Sequence, residues 1–493
     1  MIDAAIKIHD KYQIEIKLKY QFENKRRATS YKIEYYIFIP NNLGIHYSTY
    51  KKNDFYGDIQ NYIRFKTPVY LLNKIADDRD SPLARLKNTC EGLVRNPNDR
   101  SRGEYEYQIK MFSCIVKSSL RDHVNFITSK TNSEEIVTLM ETYVHSLKSI
   151  SAEYRKLKRI INVPNLGKDI YSTFLFGDEY ISLLIEKYNF KLLEYLKTSV
   201  IPSADTLNRQ LLDMVRQEVT YRRNNGYDSI PSEDSDNEVL IFRYSVLKKY
   251  LESVLSIDTS KKPEGLLLEQ FILSLAAGLA MVFATAAAFW GHFVYGSYSL
   301  PVFFTLIISY MFKDRIKELT RMFFTSKILR LLHDHRIKIF MGTRKIGVFR
   351  ESFNFIKRNT IPKSIMKIRN LHRTKEFDNK FSKERIILYQ KKIELYSKVF
   401  KKKYFDYPIS GINGIFRLNI SRFLHKMDNP DKPIFLLTSD GYTKSMAKRV
   451  YHLNMIIKYS DFDHNYYARY RIVLTRHGIK RLEEIATFDS DGF

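Results

Sequence analysis

Four groups of residues in this chain have types and spacings that could carry chemistry. His333-Asp334-His335 has the residue types of a metal centre or a phosphohydrolase fragment. On a helix, side chains two apart diverge by about 200°, so the two imidazoles could not share one ion. A cap at a helix end is the better account. Asp461, Asp463 and His464 could hold a divalent cation, because carboxylates two apart on an extended segment share a face. A polar hairpin loop accounts for them equally well. Glu15-Ile16-Lys17, with Asp10 upstream, has the types of a metal-dependent nuclease strand. The same alternation places Glu15 and Lys17 on the solvent side of an ordinary amphipathic strand. Cys90 and Cys114 have no neighbouring His or acid that would make either a nucleophile.

No Walker A sequence, G-x-G-x-x-G, G-x-S-x-G elbow or H-E-x-x-H motif occurs. No catalytic, cofactor-binding or metal residue is therefore assigned, and no cofactor is expected. Absence of these motifs points away from an enzyme, although many active sites are assembled from distant residues. Two cysteines also rule out a disulfide scaffold and a four-cysteine zinc site.

The elements that would position such groups are partly legible. Residues 12–22 and 31–39 alternate apolar and polar side chains, which predicts two half-buried strands. The polar stretch Glu23–Ser30 between them suggests an antiparallel pair, and Pro40-Asn41-Asn42 ends the second strand. Apolar periodicity predicts helices over 133–161, 169–198, 204–224 and 237–256. A helix is expected from Lys313 to His335, strands over 451–459 and 470–474, and a short closing helix over 479–486.

The longest apolar run is internal. Leu266–Trp290 contains one charge, Glu269, and Val294–Phe312 contains none. A span needs about 20 apolar residues, so the two stretches predict a transmembrane helical hairpin, 266–312. Lys261 and Lys262 before it, and Lys313, Arg315, Lys317 and Arg321 after it, predict that both flanks face the cytosol. In a bacterium the membrane would be the inner one. Ala276, Ala280, Ala284 and Ala288 recur every four residues, a packing seam either within the hairpin or between copies.

Charge is concentrated after this hairpin. Residues 313–493 carry 40 Lys or Arg against 18 Asp or Glu, a net of +22 out of +27 for the chain. The excess runs past what topology needs, through Lys357 and Arg358 to Lys401, Lys402 and Lys403. Such a surface suits anionic lipid or, as the runner-up, nucleic acid. The expected organisation is α+β around a two-helix membrane hairpin. It has a mixed strand and helix region 1–124, a helical region 125–262, the spans 266–290 and 294–312, a basic juxtamembrane region 313–403 and a strand-rich region 404–493. The expected function is a two-pass membrane protein acting as a non-enzymatic scaffold or sensor. Its partners would be the bilayer, anionic lipids, other proteins and copies of itself. The alternative is a membrane-anchored nucleic-acid-binding protein or nuclease.

Overall fold

The computed structural model describes residues 3–21, 27–77, 80–164, 166–199, 204–296, 299–328, 332–371, 384–396, 407–461 and 464–489. The chain divides into two compact units, one built from 1–63, 257–404 and 411–493, the other from 64–256 and 405–410.

The first unit is dominated by antiparallel sheets. Its strands are β1 (Asp3–Asp10), β2 (Gln13–Gln21), β3 (Thr29–Pro40), β4 (Ile59–Phe65), β5 (Asp258–Pro263), β6 (His335–Met341), β7 (Arg344–Ile356), β8 (Glu384–Leu395), β9 (Gly411–Asn419), β10 (Asp431–Thr438), β11 (Gly441–Lys448), β12 (Tyr451–Ser460), β13 (Asn465–Thr475) and β14 (Gly478–Asp489). A helix, α1 (Lys52–Asp58), precedes β4. The larger sheet has eight strands in the order β14-β13-β12-β3-β8-β7-β6-β5; the smaller has the order β1-β2-β9-β4.

Aromatic residues join the two sheets. Phe416 of β9 stacks on Tyr35 of β3 and Tyr389 of β8, with ring centroids at 4.9 and 5.4 Å. Phe55 of α1 stacks on Phe353 of β7 at 4.4 Å. All five rings are buried. Because strand side chains alternate, one such contact per strand decides which of its residues face inward. On the opposite face of the larger sheet, Ile365 and Ile368 of α11 (Lys363–Asn370) pack on Tyr36, Phe38, Ile386 and Ile456. Arg469 of β13, fully buried there, donates to the carbonyls of Ile368 and Leu371, the last acceptors of α11.

The second unit is helical: α2 (Pro82–Arg95), α3 (Asp99–Thr128), α4 (Ser133–Lys156), α5 (Lys158–Ile161), α6 (Lys168–Thr198), α7 (Ala204–Asn224) and α8 (Glu238–Glu252). Helix starts follow from side-chain caps: Ser81 Oγ accepts from the Ala84 N–H, and Asn98 and Ser101 cap each other reciprocally. Arg222 of α7 is fully buried and bonds Glu186, Ser182 Oγ and the Ser229 carbonyl.

A helical hairpin leaves the edge strand β5. Gly265 (φ +91°) turns the chain into α9 (Leu266–Tyr295), and α10 (Leu300–Ile328) packs back along it. Only α9, over Leu267–Tyr295, is long and apolar enough to cross a membrane by length and composition among the described residues. The second expected span fails because α9 claims the chain as far as Tyr295. Helix α10 is then apolar only from Leu300 to Phe312 before Lys313, Asp314 and Arg315 intervene, well short of about 20 residues. The two-span architecture is corrected to a mixed α+β fold with extensive antiparallel sheets. The multi-pass localisation with cytosolic termini, the membrane scaffold or sensor role, and the bilayer with its anionic lipids as partner fall with it, because all were argued from two spans.

Local expectations fare unevenly. The strands at 12–22 and 31–39 form, but they do not pair with each other: β2 lies between β1 and β9, and β3 between β12 and β8. The predicted closing helix is instead β14, paired along β13. The helix expected to reach His335 ends earlier, and His335 opens β6. The helices predicted across 133–256 are present.

Phe416→Ala should lower stability by about 3–5 kcal/mol, because the buried ring covers the stacked pair Tyr35 and Tyr389. Urea denaturation of the full chain followed by far-UV circular dichroism measures it; a change under 1 kcal/mol would show that the two sheets do not depend on this contact.

Candidate functional site

Strands β5 to β8 place charged residues in two facing registers. Across the inner face run Pro263, His335, Glu351 and Lys391, directly opposite one another from β5 to β8. Across the outer face, one residue along, run Lys262, Arg336, Arg350 and Lys392, and Lys32 of β3 extends the row to a fifth strand. Like charges directly opposite one another destabilise a sheet, so the outer row needs compensation; in the inner row Glu351 lies between His335 and Lys391, and what must be offset there is burial of charge.

The inner row is compensated. Glu351 is fully buried. Its Oε2 accepts from the Tyr389 hydroxyl at 2.7 Å and from Asn61 Nδ2 at 3.2 Å, and its Oε1 lies 2.8 Å from Lys261 Nζ and 3.5 Å from His335 Nδ1. Lys391 Nζ donates to Asn61 Oδ1 at 2.8 Å. Burial pushes its ammonium down to about 8, with Glu351 opposing the shift. Burial also lowers His335. Asp334 accepts from Lys52, from the Tyr56 hydroxyl at 2.9 Å and from the Phe353 N–H at 2.7 Å. Glu351 and Lys391 are held by neighbours in the same unit and belong to its core.

The outer row is compensated at one end only. Arg350 pairs with Glu264 at 3.2 Å and Glu394 at 2.7 Å, and Lys32 pairs with Glu34 at 2.9 Å. Lys392 lies 3.5 Å from Glu394. Among the described residues, no carboxylate comes within ion-pair distance of Lys262, Arg336 or Lys338. Arg336 Nε is buried without a hydrogen-bond partner. These three cations line a cavity of about 580 Å³ with Ser260, Glu264, Leu267, Leu268 and Leu332. Glu264 pairs with Arg350 through Oε1, while its Oε2 is buried without a hydrogen-bond partner, 3.4 Å from the His333 Nδ1 of an imidazole that burial shifts towards its neutral form. The cavity therefore has one wall from β5, β6 and the residue after β5 that carries three cations and the Glu264 carboxylate, and an apolar wall from the start of α9. Lysine on an edge strand guards a sheet against further pairing, which would explain Lys262. That account does not reach Arg336 and Lys338, which lie on β6, one strand in.

The groups singled out by spacing lie elsewhere. His333 faces Glu264 and His335 faces Glu351, so the two imidazoles have separate carboxylates. Glu15 is buried rather than solvent-facing: Arg417 at 2.7 Å and Lys7 at 3.1 Å hold it. Desolvation works against ionisation there, but those two cations prevail and its carboxyl titrates below the usual range. Lys17 lies on the same strand, and Asp10 accepts from the Tyr12 N–H in the preceding turn. Asp461 Oδ1 accepts from the His464 N–H in the β12–β13 loop, and Asp463 lies outside the described residues. Among the described residues, no group of three potential ligands could hold a metal ion, which removes the metal-dependent nuclease alternative. Cys90 and Cys114 are buried, and burial pushes both thiols up to about 12.

Of the alanine seam, Ala276 and Ala280 are buried, and the Ala284 carbonyl accepts from Ser309 Oγ of α10 at 3.1 Å; Ala288 is half-buried. Lys313 lies over the Tyr310 ring at 4.1 Å, Arg321 lies 3.8 Å from Glu318, and Arg315 and Lys317 are exposed on α10. Lys357 and Arg358 are exposed ahead of α11, and Lys401, Lys402 and Lys403 lie outside the described residues. Among the described residues, none of these cations lines the cavity. Sequence reading missed Arg336 and Lys338 because nothing local aligns them with Lys262.

The depressed Lys391 ammonium has a measurable consequence. Unfolded, it holds its proton up to the ordinary value of 10.5; folded, it releases it near 8. Between those values the unfolded chain binds the extra proton, so raising the pH favours the folded state, by up to about 3 kcal/mol. Urea midpoints from pH 8 to 10.5 should rise more steeply for the wild type than for Lys391→Met. Parallel slopes would show that Lys391 keeps its proton in the folded protein.

No family model, curated protein or solved structure matches this chain.

Proposed function

We propose that this protein binds a small organic phosphate in the cavity between β5, β6 and the start of α9. The observation that supports this reading is the convergence of Lys262, Arg336 and Lys338 on one cavity whose single carboxylate, Glu264, is paired with Arg350 rather than with any of the three. Three like charges held together at a cost to the sheet are stabilised when an anion joins them. Arginine's planar fork matches phosphate oxygens, and lysines add point charge.

The cavity also selects for size and polarity. At about 580 Å³ it lies within the range of small-molecule sites, and its Leu267 and Leu268 wall suits the apolar body of a phosphate ester better than a free inorganic ion. The anionic head would lie on the β5–β6 wall and the body against α9. Binding needs no metal and no covalent step.

Titration calorimetry with 1-naphthyl phosphate, at low and high salt, tests the reading. Binding should weaken with salt, be stronger than for inorganic phosphate, and fall about 10–100-fold in Arg336→Gln, the worth of one charge-assisted hydrogen bond. Lys262→Gln should lose less, because Lys262 is exposed and its charge is better screened. Equal affinity of wild type and Arg336→Gln, or no heat with either ligand, would remove the site.

A further inference from the structure

We infer that the Glu264–His333 contact beside the cavity makes anion binding there take up a proton, so that the site fills more readily as the pH falls. The inference rests on the cavity reading and concerns its regulation. The backbone places both residues. The β5–β6 ladder ends at the pair Pro263 and His335, and one step beyond it the Glu264 N–H donates to the Asp334 carbonyl at 3.2 Å. Glu264 is thereby set beside His333. It lines the cavity together with Lys262, Arg336 and Lys338. Its Oε1 accepts from Arg350 Nε at 3.2 Å. Its Oε2 is buried and accepts no hydrogen bond, with His333 Nδ1 3.4 Å away.

A buried carboxylate oxygen without a donor carries its full desolvation penalty. The missing bond is what a neutral imidazole with a bare Nδ1 leaves, acceptor against acceptor. An imidazolium has a proton on both nitrogens and presents a donor there. The surroundings decide which form prevails. Burial disfavours the charged ring, Glu264 and the adjacent Asp334 favour it, and Arg350 of β7 and Lys392 of β8 oppose it; the ring titrates below its usual 6.5. Arg350 and Lys392 also meet Glu394, and Asp334 is held by Lys52 and Tyr56. Glu264 is thus the carboxylate left to answer a proton on His333. An anion in the cavity adds negative charge to the wall that already carries Glu264, and that charge favours the proton. The ring then titrates higher with the cavity filled than empty. Between the two values binding takes up a proton, and by reciprocity the proton strengthens the hold on the anion.

Titration calorimetry of the full chain with 1-naphthyl sulfate reads this coupling. The sulfate ester keeps one negative charge throughout, whereas a phosphate ester itself gains a proton at about pH 6. From pH 8 to pH 5 the affinity should rise about 3–10-fold, the effect of one added charge at a partly screened distance. Buffers of different ionisation enthalpy should show net proton uptake within that window, a readout that needs no variant. His333→Gln should bind at pH 8 as the wild type does and lose the rise. Glu264→Gln should bind more tightly at pH 8 and lose it too. No heat with 1-naphthyl phosphate at pH 8 would remove the cavity reading and this inference with it. A protein that binds 1-naphthyl phosphate but gives a flat or absent sulfate response, no proton uptake, or the same rise in His333→Gln would overturn this inference alone.

Discussion

Phe416, packed against the stacked cross-strand pair Tyr35 and Tyr389, fixes which way the larger sheet faces. Strand side chains alternate with period two, so a one-residue slip would exchange the two faces. With Tyr389 inside, Lys391 is inside and Lys392 is outside. Through the ladder, the same choice sends Glu351 and His335 inward and Arg350 and Arg336 outward. The paired inner row and the outer row, compensated only at the Arg350–Lys32 end, are therefore one constraint seen from two sides.

What could be read from the sequence was local. Alternation showed β2, β3, β12 and β13, and apolar periodicity showed the helices of the second unit. Neither says which strands become neighbours, so the hairpin inferred from residues 12–39 was replaced by partners from the far end of the chain. Residues 479–486 misled because Ile479, Leu482 and Ala486 also fit a helical face, whereas pairing with β13 decided the matter. Glu15 looked solvent-facing because its alternation was clear; Arg417, which buries it, is 402 positions away. The cation-lined cavity was out of reach for the same reason. Lys262, Arg336 and Lys338 are unremarkable in a chain of net charge +27 until cross-strand register sets them side by side.

The apolar stretch shows how one misplaced boundary propagates. Treating Val294 as the start of a second span assumed a three-residue turn. The first helix keeps those residues, the second loses them, and the expected symmetry of two equal spans disappears. What remains is a hairpin whose base, at Gly265, also forms one wall of the cavity. Gly265, in the left-handed region, thus serves both as the turn into the hairpin and as part of the cavity lining.

The central position of β3 has a cost during synthesis. Lys32 finds its partners only when Lys392 and Ser460 have been made. At about 5–20 residues per second, the early strands would wait roughly 20–90 s, with Tyr31, Ile33, Tyr35 and Ile37 unsatisfied. The helical unit, whose chain is nearly continuous from 64 to 256, can complete its local contacts during that interval. A nascent chain of this protein is thus a folded helical body trailing an unpaired strand, and it places its greatest demand on chaperones before release.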